Sequence, residues 1–169
     1  MKQHAFAITS ALMIVVSFVS IGSNAAEKPQ PVLSKKTMTR FIDDFPSLHS
    51  DLKELSSTSV QAFEALIQEG AALQNIDAVR EDLDAAQKDP GVKKLVAEHG
   101  WGKSITPVYI AIFTAHSIIV AEELIQASAD PGVTAYIARW KPTVHPDDLA
   151  IVRENRTRLE EMLLGIGQE

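Results

Sequence analysis

The chain has 169 residues, no cysteine and a formal net charge of −6. The missing cysteine excludes disulfides, thiol catalysis, thiolate metal sites and covalent haem attachment through C-x-x-C-H. Its 16 basic residues are scattered among 22 acidic ones and form no dense stripe with interleaved aromatics, so nucleic-acid binding finds no support.

The N-terminus has three parts. Lys2 and the amino group give a positive region, Ala5 to Ile21 is apolar apart from four hydroxyl residues, and Gly22-Ser23-Asn24-Ala25-Ala26 supplies small residues before charge returns at Glu27. This is the order of a secretory signal peptide, and it predicts cleavage after Ala25 or Ala26 and a periplasmic or secreted protein. A membrane anchor is the rival reading. It needs about 20 predominantly apolar residues, and this stretch is shorter and more polar. Loss of Lys2 with the leader takes the formal net charge from −6 to −7. The remaining chain is near the commonest size for one domain.

Residues 26–33 hold two prolines and little to bury, which predicts a flexible, extended arm before a single helical domain over 34–169. Met38, Phe41, Ile42 and Phe45 then fall on one helical face. Pro46 is expected to stop that helix and to open a second, striped by Leu48, Leu52 and Leu55. Ser56 to Ser59 form a polar break. A long helix is expected over 60–88, with Gly70 as its weak point.

Asp89-Pro90-Gly91 reads as a cap with proline in the first turn. The short helix that follows is expected to end at Gly100 in the left-handed conformation, with Trp101 folding back on Leu95 and Val96. The most apolar segment, about 107–127, is expected to be the central, buried helix of the fold. A second membrane span is the alternative for it, disfavoured by Thr114, His116, Ser117, Glu122 and Glu123. Asp130-Pro131-Gly132 repeats the start signal of 89–91. Pro146 opens the last helix, with Asp147 and Asp148 in its positive first turn and Leu149, Val152, Leu159, Leu163 and Ile166 as its buried stripe. No segment reads as a strand. The expected fold is all-α, an irregular multi-helix bundle around the 107–127 helix.

Chemistry is sparse. There is no glycine-rich phosphate loop, nucleophile elbow or H-E-x-x-H, and no Glu-x-x-His pair repeats as in di-iron bundles. No histidine of the mature chain pairs with another at helical spacing, so neither a metal nor a cofactor is expected, and no catalytic residue is assigned. Asn155-Arg156-Thr157 matches a glycosylation triplet but lies in mid-helix. Tyr109, His116 and Glu123 recur every seven residues on the central helix and share one stripe. They are the candidate cofactor-binding residues if the stripe lines a pocket, with His116 as a proton carrier or ligand. If it is the least buried edge of the helix, they show polar tips to water.

The expected function is that of an exported, non-enzymatic helical protein acting through protein–protein or chaperone-like contacts, with no stable membrane span after leader cleavage. The alternative is a small-molecule or cofactor-binding bundle with a pocket near His116.

Overall fold

The computed structural model describes residues 29–55, 76–127 and 129–166. Seven α-helices follow one another there: α1 (Lys35–Lys53), α2 (Ile76–Ala86), α3 (Pro90–Glu98), α4 (Ile105–Ala127), α5 (Pro131–Trp140), α6 (Pro146–Glu154) and α7 (Arg156–Ile166). They pack as an all-α multi-helix bundle, and no strand occurs among the described residues. The expected leader, the start of the arm, the polar break at 56–59 and residues 60–75 of the expected long helix, Gly70 among them, lie outside the described residues; α2 falls in the rest of that segment.

α1 starts where Ser34 Oγ accepts a hydrogen bond from the Thr37 amide at 3.1 Å. It does not stop at Pro46, which lies inside a single helix of 19 residues. Proline within a helix removes one backbone bond and costs about 3 kcal/mol. The stripe Met38, Phe41, Ile42, Phe45, Leu48 and His49 is buried without interruption across it. Each large apolar side chain so buried contributes about 1.5–3 kcal/mol, and several together outweigh the proline.

α3 begins as its sequence indicates, with Asp89 Oδ1 accepting from Gly91 N at 2.8 Å and Val92 N at 3.2 Å. At its other end Gly100 has φ +73°, its amide bonds Ala97 O at 2.8 Å, and Trp101 N bonds Val96 O at 3.0 Å. That pairing satisfies two of the helix's last carbonyls and turns Trp101 into the core. A β-carbon at Gly100 would lie 2.9 Å from Arg40 Nη2. The same guanidinium donates to His99 O at 2.7 Å and stands over the Trp101 ring, 4.2 Å from its centroid. Asp130 caps α5 as Asp89 caps α3, at 2.7 Å from Gly132 N, so the repeated Asp-Pro-Gly is shared start chemistry.

α4 is the centre. Ile112, Ala115 and Ile118 are wholly buried, and Val108, Tyr109 and Ile119 nearly so. The stretch Gly102–Ala127 is the described segment long and apolar enough to cross a membrane, with mean hydropathy 1.7, and here its apolar surface is covered by α2, α5 and α6. α1 packs on it through rings: Phe45 and Phe41 stand 5.7 Å and 6.3 Å from Tyr109, which stacks on Phe113 at 4.1 Å.

The expected single last helix is two helices, α6 and α7, divided at Asn155 (φ −106°, ψ 10°). The Asn155 amide is shared between Ile151 O and Val152 O at 3.2 Å and 3.1 Å, and its side-chain amide donates to Ile151 O at 2.9 Å. Such local side-chain bonds compete with the helix ladder. They also occupy the nitrogen of the glycosylation triplet.

Candidate functional site

The Tyr109–His116–Glu123 stripe is divided by depth. Tyr109 is 2% exposed, inside the aromatic cluster of α1 and α4, so it is not an edge residue. Burial holds its phenol far above the ordinary tyrosine range. His116 is half-buried, with Nε2 3.4 Å from Glu160 Oε1 on α7. Glu123 is exposed at its carboxylate and pairs with Arg156 Nη1. Arg156 Nε in turn reaches Glu160 Oε1 at 2.6 Å. α7 therefore bridges two residues that stand two turns apart on α4, through His116, Glu160, Arg156 and Glu123. The Arg156 hydrogen bond holds the Glu160 carboxyl below the usual carboxylate range, with a smaller contribution from His116. These contacts fasten α7 to α4.

A cleft of about 320 Å³ opens on another side of α4. Thr106, Ile110 and Thr114 line it at four-residue spacing, which places them on one helical face. α2 contributes Arg80 and Asp84, also four apart, and the α5–α6 connection contributes Thr143, Val144 and His145. Asp148 reaches it from the first turn of α6, and Gln30 and Val32 of the arm also line it. Neither His116 nor Glu123 touches it.

Local structure fixes several of these groups. Thr143 sits in a 3₁₀ turn (Lys141–Thr143) and donates from Oγ1 to Trp140 O at 2.7 Å. His145 is the N-cap of α6; its Nδ1 accepts from the Asp147 amide at 3.1 Å, which leaves Nε2 to carry the ring proton. Thr106 Oγ1 meets the side-chain amide of Gln87. Asp148 is 2% exposed, and its carboxylate accepts from Val32 N at 3.0 Å and 3.1 Å and from Leu33 N at 2.8 Å. The described end of the arm is pinned by these bonds, and Leu33 is buried.

The chain matches no protein-family model, no curated protein and no solved structure. What the cleft can do must come from its own side chains. They are one guanidinium, two carboxylates, an imidazole and three hydroxyls set among Pro107, Ile110, Ala111 and Val144. Small-molecule sites have volumes of about 300–1,000 Å³ with convergent polar groups that fix the ligand's orientation; this cleft has such a volume and is of the more polar-lined kind. Among the described residues no three His, Asp or Glu side chains gather as a metal site requires.

A second void, about 40 Å³ and bounded by Leu48, Leu52, Leu83, Val92, Ile105 and Tyr109, has an apolar lining and room for little more than a water molecule.

Sequence reasoning missed Asp148 and the threonines. Asp148 reads as an ordinary helix-start carboxylate because its partners lie 115 and 116 positions away. The threonines carried a usable signal, two hydroxyls eight apart on the most apolar helix.

Proposed function

We propose that this is an exported, non-enzymatic binding protein whose helical bundle holds a small polar molecule in the cleft between α2, α4 and the α5–α6 connection. The observation that carries the reading is that cleft: about 320 Å³, with hydrogen-bonding groups converging from separate helices on an apolar face. Against a pocket at His116 stands the contact of its ring with Glu160 at 3.4 Å. Export rests on the positive, apolar and small-residue order of residues 1–26.

A surface for a protein partner would call for a contiguous apolar patch. The large exposed apolar side chains among the described residues are Val32, Leu124 and Leu164, which stand on the arm, α4 and α7. That favours the cleft over an outer face.

The reading is tested by thermal unfolding of the ligand-stripped chain with the low-mass fraction of its host's extract. A ligand that binds only the folded state raises the melting temperature. Saturable stabilisation that Thr114→Leu abolishes is the expected result. No stabilisation, or the same stabilisation in the variant, contradicts it.

A further inference from the structure

Asp148 is a wholly buried carboxylate committed to two consecutive backbone amides of a segment more than a hundred residues away. Those amides belong to the arm, and the arm's own Gln30 and Val32 line the cleft. Pro29 and Pro31 make the segment stiff, since each fixes φ near −65°. Pro31 has no amide to give, so Val32 and Leu33 are the first two consecutive donors after it. Leu33 is buried while Val32 is 41% exposed, and Ser34 then caps α1. The chain thus has a firm end at α1, a pinned point at Asp148 and a stiff portion that lines the cleft before it.

We infer that residues 29–33 are a strap across the mouth of the cleft, held closed by Asp148, and that molecules enter when the two amides leave the carboxylate. This deepens the cleft reading and rests on it. Lifting breaks contacts to one side chain and exposes one leucine, so it costs far less than unfolding a helix; local openings of this kind lie at the low end of a protein's stability range. A backbone–carboxylate latch, unlike a side-chain ion pair, needs only a backbone amide at 32 and 33, which every residue but proline supplies.

The absence of cysteine supplies the test. Thr114→Cys places a single thiol on the cleft wall, Ala115→Cys places one in the core away from it, and Thr134→Cys on α5 gives an exposed reference. Reaction of each with a small disulfide reagent is timed in the full chain, alone and combined with Asp148→Asn or with Val32→Pro, which deletes one amide and leaves Asp148 in place. The expected result is slow labelling at 114 compared with 134, accelerated about tenfold or more by either latch variant, with position 115 unchanged. Labelling at 114 as fast as at 134 in the parent would show that nothing covers the cleft. An unchanged rate at 114 in both latch variants, or equal acceleration at 115, would likewise overturn the strap. These rates need no ligand, so the strap and the ligand reading fail separately.

Discussion

The backbone amide of Leu33 lies 2.8 Å from Oδ1 of Asp148, joining the start of the described chain to the first turn of α6 across 115 positions. If the carboxylate is removed, the two amides either stay buried without a partner or carry the arm into water and expose Leu33. An unsatisfied buried group costs about 1–3 kcal/mol, and release of the arm limits the loss to that range. Asp148→Ala is therefore expected to lower unfolding stability by about 1–3 kcal/mol. Asp147→Ala, one residue earlier and exposed, should lose only the helix-dipole contribution of about 0.3–1 kcal/mol. Urea unfolding of the two variants checks the difference.

The core of α4 gives a second expectation. Ile112 is 0% and Ile119 3% exposed, while Leu164 at the end of α7 is 66% exposed. Ile112→Ala and Ile119→Ala should each cost about 2–5 kcal/mol, and Leu164→Ala close to nothing. Comparable losses at all three would mean that α4 is not the centre of the bundle in solution.

Alkaline titration reports on Tyr109. Its phenol is raised by burial, so the folded state keeps the proton that the unfolded chain gives up near pH 10. The stabilising contribution of the protonated phenol is fully present below the unfolded value and is lost as pH rises above it. Of the two tyrosines, Tyr136 is also raised by burial. Phenolate absorbance should therefore appear together with loss of the helical circular dichroism signal. A phenolate step that precedes unfolding and disappears with Tyr109→Phe would place that ring in water.

The link between α4 and α7 gives the acid side. Glu160 is lowered by its hydrogen bond to Arg156. A depressed carboxyl contributes stability above its unfolded value, about 4.3, and loses it as pH falls through the lower folded value. Glu160→Gln should flatten the dependence of stability on pH below about 5 and leave the neutral-pH slope alone. The effect should be modest and salt-sensitive, since the pair is solvent-screened. An identical pH profile in the variant would mean that Glu160 is not engaged in solution.

Features decided within a few residues were legible in the sequence. Asp89, Asp130 and Gly100 act through backbone groups next to them, and the largely apolar 107–127 segment finds its burial at the centre. Pro46 and Asn155 misled for opposite reasons. At Pro46 burial of a continuous stripe overrode a local stop signal, and at Asn155 a side-chain amide broke a stripe that looked continuous. The candidate site was the least legible part. The heptad of Tyr109, His116 and Glu123 is a true stripe on α4, but the aromatic rings of α1 cover one end and α7 binds the other. Asp148 and the cleft exist only because the arm, α2 and the α5–α6 connection meet there, and no spacing along the chain encodes that meeting.

The central claim is that the cleft holds a small molecule, and a native mass spectrum of the protein purified from its own host tests it most directly. The parent should carry a defined mass excess that denaturation releases. Ala111→Phe, which fills the cleft wall from α4, should appear at bare polypeptide mass while keeping its helical circular dichroism; Thr114→Leu serves if the larger ring disturbs folding. A parent already at bare mass, or an excess retained by a folded cleft-filling variant, would contradict the account.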